Sequence, residues 1–235
     1  MPKAIHFRIA GQLATIGVQG INSCVMLSAM QDKNLMKDPQ INTMVSLQAT
    51  YLTVWNIGFL LLYSLLALAC DLSTVLNRDD LVSKSMRRIR ENMFGSAVLP
   101  ITVFIFVFFW PVFLYDRSLI FPEFIDKIFS LKSNLVMHFW ILPLACWELA
   151  FLPRSPPKSH KTNIQIISLY ALAYNAVIFI NYYRRGLWSY PLLGMIYGTI
   201  YFPLFITFVY FLCLYIYYKQ WSWTAYFWGT EKQKK

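Results

Sequence analysis

Two ionisable side chains, His138 and Glu148, stand in an otherwise apolar stretch over residues 134–152. Ionisable groups are costly in hydrocarbon, so such positions are functional candidates by default. Asn134 lies four residues before His138, one helical turn away and 40° around the axis, within reach of a hydrogen bond to the imidazole. That bond would hold the ring in one tautomer and leave the other nitrogen to accept a proton. Pro143 cannot donate to the carbonyl of Phe139, which leaves a polar spot one residue from the histidine. Glu148 is ten residues further on, about 15 Å along a helix, too far to orient the ring. A Ser-His-Asp style triad is therefore disfavoured, and Glu148 reads as a protonated, hydrogen-bonded group that holds helices together.

A histidine base needs a nucleophile. The stretch 44–70 carries Ser46, Thr50, Thr53 and Ser64 within about 60° of one another on a helical wheel, with Asn56 flanking them. A hydroxyl facing a neutral imidazole is the arrangement for acyl transfer. Hydroxyls in membrane helices ordinarily bond back to a carbonyl or join helices, so spacing alone does not choose between Thr50 and Thr53. Donors for an oxyanion are Asn56, Asn134, a kinked backbone N–H or Arg117, which the sequence does not rank.

The elements that must position these groups follow from composition. Of 235 residues, 57% are hydrophobic and only 14% charged, against about a quarter charged in soluble domains. Stretches 9–30, 44–70, 92–115, 134–152, 164–183 and 193–218 are each near or above the roughly 20 residues that cross a bilayer core. The fold expected is all-α, an integral membrane bundle of six transmembrane helices forming one domain over residues 1–235. The pieces between the spans are too short for a separate soluble domain, and a soluble Rossmann or barrel enzyme is excluded. The first span is the weakest, because Gln12, Gln19, Asn22 and Ser23 interrupt it. Lys and Arg number fourteen on one side of the membrane and seven on the other, which predicts that both termini are cytoplasmic. Thr53 and His138 then share the outer half of the bilayer. The net charge of +10 draws on Lys84, Arg87, Arg88 and Arg90, a topology signal and not a nucleic-acid patch.

Pro100, Pro111, Pro143 and Pro203 predict kinks against a cavity. Gly194 and Gly198 read as a small-residue helix contact within the sixth span. Residues 221–228 read as an interfacial anchor. Cys24, Cys70, Cys146 and Cys213 are scattered one per span, with neither zinc-ligand nor disulfide spacing. HExxH, Walker and GxSxG motifs are absent.

The chain resembles the androgen-induced membrane hydrolase family. The runs that carry the resemblance are YLT (51–53), CDLS (70–73), FWPVFLYDR (109–117), FP (121–122), NLVMH (134–138), ILP (141–143) and GLWSYP (186–191), with Glu148 between the last two. The resemblance implies a six-helix membrane hydrolase of fatty acid esters of hydroxy fatty acids, with Thr53 as nucleophile and His138 as its partner. Leu135, Phe139, Tyr182 and Tyr183 depart from the family pattern, where more polar residues are usual, so the preferred ester of this member is expected to differ.

The expected function is hydrolysis of a lipid ester that enters sideways from the bilayer, in the endoplasmic reticulum or plasma membrane. It needs no metal, cofactor or nucleic acid. Asn134, Glu148 and Asn56 are auxiliary candidates. The alternative is a non-enzymatic lipid-binding, transport or regulatory membrane protein in which His138 and Glu148 relay protons or hydrogen bonds.

Overall fold

The computed structural model describes residues 2–228 and is helical with connecting turns. Lys232, Lys234 and Lys235, counted above among the cytoplasmic charges, lie outside the described residues. The helices are α1 (Pro2–Ala29), α2 (Pro39–Ser46), α3 (Leu52–Val75), α4 (Lys84–Met93), α5 (Leu99–Asp116), α6 (Leu131–His138), α7 (Ile141–Phe151), α8 (Lys161–Arg185), α9 (Pro191–Ile196) and α10 (Tyr201–Trp228). Five helical stretches are long and apolar enough to cross a membrane: Leu52–Val75, Lys84–Leu119, Leu131–Phe151, Lys161–Arg185 and Tyr201–Trp228.

α1 has the length, 28 residues, but not the hydropathy. Its Gln12, Thr15, Gln19 and Asn22 recur at helical spacing and are buried, while Leu13, Val18, Ile21 and Val25 point outwards. The helix packs along α3 and α7 with its polar stripe inwards. A Cβ on Gly11 would come within 2.4 Å of the Trp147 ring, so the glycine sets how closely α1 approaches α7. The Trp147 indole N–H seals that contact by donating to Phe7 O at 2.8 Å.

The second apolar stretch is not one helix. α2 ends at Ser46, residues Gln48–Thr50 form a tight 3-10 turn, and Tyr51 is extended at the start of α3. Ser46 and Thr50 therefore do not share a helical face with Thr53. Their hydroxyls are used locally, on Thr43 O and Leu47 O, as short polar side chains tend to be near helix ends. The last apolar stretch is also divided. Gly198 (φ +80°) lies between α9 and α10, so Gly194 and Gly198 do not form a continuous small-residue helix face. Gly186, at φ +66°, caps α8 in the left-handed conformation that glycine tolerates.

α4 continues into α5 through a π-turn, Phe94–Val98, buried at every position. Gln220 of α10 pins it by donating to Gly95 O at 2.8 Å. Trp221 packs under the Arg154 guanidinium, 4.9 Å from its ring centroid, so this part of the 221–228 run takes part in tertiary packing.

The fourth stretch breaks at Phe139 and Trp140, between α6 and α7. Pro143 explains the break, since its ring cannot coexist with a regular turn over the Phe139 carbonyl. Leu142 N–H reaches that carbonyl in 3-10 fashion at 3.2 Å, so Phe139 O is not left open. Of the carbonyls freed by the break, those of Val136 and His138 are met by the Gln19 amide at 3.0 Å and the Trp110 indole at 3.1 Å. α1 and α5 thus clamp the break from two sides.

Candidate functional site

α3 starts afresh at Leu52, which puts Thr53 in its first turn. α6 ends at His138, held by the clamp just described. The two ends meet, with Thr53 Oγ1 3.1 Å from His138 Nε2. On the other edge of the ring, His138 Nδ1 lies 2.7 Å from Asn134 Oδ1 and 3.2 Å from Asn134 O. Both are acceptors, so the proton belongs on Nδ1, and Nε2 offers its lone pair to the Thr53 hydroxyl. The plane of the imidazole is set by Phe109, stacked at 3.6 Å between centroids, and by the edge of Phe121 at 6.2 Å.

The pair opens on a cavity of about 190 Å³, larger than the ~150 Å³ apolar cavity that accepts benzene in an engineered lysozyme. No Asp, Glu, Lys or Arg lines it among the described residues. Its walls include one face each of the π-turn and α5, from Ser96 to Phe109, of α8, from Ile167 to Ile178, and of α10, from Phe205 to Cys213. Thirteen residues of helix separate Phe109 from Ser96, about 20 Å of depth. A long, apolar, uncharged cavity with a hydroxyl and an imidazole at one end can hold a hydrocarbon chain and present a carbonyl to a nucleophile.

The remaining sequence candidates fall elsewhere. Asn56 is buried, and its Oδ1 accepts from Thr102 Oγ1 at 3.1 Å, but it does not line the cavity. Arg117 donates to Phe121 O and to Asp126 at 2.7 Å, and lies over the Phe113 and Phe121 rings, outside the aromatic cover of the site. Glu148 belongs to a separate buried cluster. Its oxygens accept from Tyr63, from Arg90 at 3.0 Å and from Gln12 at 3.3 Å, and Asp71 joins through Arg90 and Arg8. Glu148 is thus hydrogen-bonded to groups on other helices, and one of its partners, which the sequence did not indicate, is the Arg90 guanidinium. Arg90, taken above as a loop charge, turns inwards instead. None of these cluster residues lines the cavity.

The site residues that spacing did not reveal are Phe109, Tyr190, Gln19 and Trp110. Tyr190 reaches the start of α3 and accepts from Leu52 N–H at 2.9 Å. A polar Gln19 inside an apolar stretch was a visible signal, but its partner carbonyl was not.

The family model for FAR-17a/AIG1-like proteins matches residues 21–222, a range that contains both sides of the site. This chain belongs to the FAR-17a/AIG1-like family. Among its relatives it is 33% identical over 108 residues to the androgen-dependent TFPI-regulating protein of Homo sapiens, covering 46% of each chain. It is 32% identical over 145 residues to the Mus musculus protein of that name, covering 61% of this chain and 62% of the relative. To the androgen-induced gene 1 protein of Homo sapiens it is 26% identical over 129 residues, covering 52% and 54%. The chain thus spans about half to three fifths of the length of these curated FAR-17a/AIG1-like relatives. No solved structure matches it.

Proposed function

We propose that this FAR-17a/AIG1-like protein is a membrane ester hydrolase in which Thr53 is the nucleophile, His138 the base and Asn134 the group that orients the base. The substrate class is the lipid ester, specifically fatty acid esters of hydroxy fatty acids. One observation carries the reading: Thr53 Oγ1 lies 3.1 Å from the His138 nitrogen left unprotonated by the Asn134 bond, on the wall of an apolar cavity. Membership of the family agrees with it.

His138 Nε2 takes the Thr53 proton as Oγ1 attacks the ester carbon. The tetrahedral intermediate expels the alcohol oxygen, which leaves with the proton from Nε2, and the acyl group stays on Thr53. Water, deprotonated by Nε2, then attacks the acyl carbon. Collapse releases the fatty acid, and Thr53 recovers its proton from the imidazolium. The chain spans the membrane six times, with α1 as the sixth crossing and both termini cytoplasmic. Its outward apolar face and inward polar stripe support that reading of α1, and the distribution of Lys and Arg supports the orientation.

The test is release of fatty acid from a synthetic ester of this class by membranes holding equal amounts of inserted wild type, Thr53→Ala, His138→Ala and Glu148→Ala. Turnover by wild type that is lost in the first two variants and retained in the third is expected. Full activity without Thr53, or no turnover by inserted wild type, would overturn the assignment.

A further inference from the structure

Acyl transfer places a negative charge on the carbonyl oxygen, and enzymes stabilise it with fixed donors. Thr53 and His138 supply none, because the hydroxyl becomes the bond to the acyl carbon and the imidazolium proton goes to the leaving group. The donors must come from other groups at the same end of the cavity.

Tyr190 stands at the entry to α9, where Pro191 begins the helix. Its ring meets Tyr51 edge to face at 5.5 Å between centroids, and its hydroxyl oxygen accepts from the N–H of Leu52, the residue before Thr53. Thr53, His138, Tyr51, Tyr174 and Tyr190 all line the same cavity. A phenol has one proton to donate, and the Leu52 bond uses only its acceptor side. The neighbouring Tyr174 hydroxyl donates to Thr50 O at 3.0 Å. The Tyr190 side chain is partly buried, and its hydroxyl adjoins that of Tyr174, so its proton can be given to Tyr174 Oη or turned to a carbonyl oxygen bound in the cavity. Burial raises the Tyr190 pKa, an effect that Tyr174 and the Leu52 N–H partly offset, so at neutral pH the group is a phenol and a donor.

The second donor is on the nucleophile itself. In a helix that ran on unbroken, the Thr53 N–H would bond to Ala49 O, but Trp55 Nε1 occupies that carbonyl at 2.8 Å and residues Gln48–Thr50 form a 3-10 turn. The N–H is one of the unpaired donors of the first helical turn, at the positive end of the α3 dipole. An N–H on the nucleophile's own residue lies where the oxyanion forms, as it does for the serine of serine proteases.

We propose that the Tyr190 hydroxyl and the Thr53 backbone N–H form the oxyanion hole of this enzyme, with the Leu52 N–H holding the phenol in place. This rests on the Thr53 and His138 reading, and the experiment separates the two.

Wild type, Tyr190→Phe and Thr53→Ala are assayed as full chains in membranes, on an ester and on its thionoester, in which sulfur replaces the carbonyl oxygen. Tyr190→Phe is expected to lower kcat on the ester about 10²- to 10³-fold, the range for one lost oxyanion donor, with KM within about twofold. The preference for ester over thionoester should fall in the same variant, because sulfur is the poorer acceptor, whereas mere displacement of α3 would lower both rates together. Since the change also removes the acceptor for Leu52 N–H, a second series puts fluorinated tyrosines at position 190, which keep shape and acceptor but sharpen the donor. Their kcat should vary systematically with phenol acidity. A kcat for Tyr190→Phe within twofold of wild type, equal losses on both substrates, or no dependence on acidity would overturn the proposal. If Thr53→Ala keeps its activity, the underlying hydrolase assignment fails instead.

Discussion

The face of Phe109 lies on the imidazole of His138, with centroids 3.6 Å apart and planes inclined by 5°. α5 thereby fixes the plane in which Nε2 points at Thr53, while Asn134 fixes the rotation within it. Phe109→Leu keeps an apolar side chain but removes the flat surface. Turnover should fall about tenfold to a hundredfold at unchanged protein level, the scale on which small misplacements act, as read by kcat on a lipid ester. An unchanged kcat would show that Asn134 alone holds the ring.

Asn134 acts through an acceptor, Oδ1, at 2.7 Å from Nδ1. Asn134→Leu removes it and should lower kcat about 10²-fold with little change in KM. Asn134→Asp retains the acceptor and should keep far more of the activity. Equal losses in the two variants would argue against a tautomer-setting bond.

The Arg90, Glu148 and Asp71 cluster is buried, with side-chain exposures of 7%, 7% and 2%. Removing one partner of such a pair leaves an uncompensated charge, which costs about 3–5 kcal/mol, whereas an apolar replacement of the whole group is tolerated far better. Arg90→Met should therefore lower the level and thermal stability of inserted protein, and adding Glu148→Leu, which leaves the Arg8 and Asp71 pair intact, should restore much of it. Hydrolysis per molecule of folded protein should stay within about threefold throughout. A selective loss of turnover in a stable Glu148 variant would instead tie the cluster to the reaction.

Cys213 on α10 and Ser96 in the π-turn mark the deep end of the cavity. Cys213→Trp should shorten the arm, moving preference towards esters of shorter fatty acids while leaving turnover of the shortest ones within about twofold. Overpacking costs about 1–3 kcal/mol, so the level of inserted protein is measured alongside. A uniform loss across chain lengths would mean that the acyl chain lies elsewhere.

Much of the site was legible because the membrane makes polarity conspicuous. A single histidine in an apolar stretch stands out, and the four-residue step back to Asn134 follows from helical geometry alone. The choice of Thr53 over Thr50 rested on the resemblance. The chain break at Gln48–Thr50, which turns the Thr50 hydroxyl onto Leu47 O and starts a new helix under Thr53, has no clear signature in hydropathy, since the flanking residues remain apolar. The same insensitivity joined α9 to α10 across Gly198.

By itself, then, the sequence determined that this is a helical membrane protein, where its apolar segments run, and which buried polar groups need an explanation. Burial of backbone in hydrocarbon leaves few architectures to such a composition, and helical periodicity relates residues within one segment. Only the tertiary structure decided which segments meet. Gln19 against Val136 O, Trp110 against His138 O, Phe109 on the imidazole and Tyr190 on Leu52 N–H each join distant parts of the chain. It also took Arg90 out of the loop charges and gave Glu148 its partner. Periodicity has no term for such contacts, because they depend on where helices break and cross, and those breaks are settled by carbonyls that another segment supplies donors for.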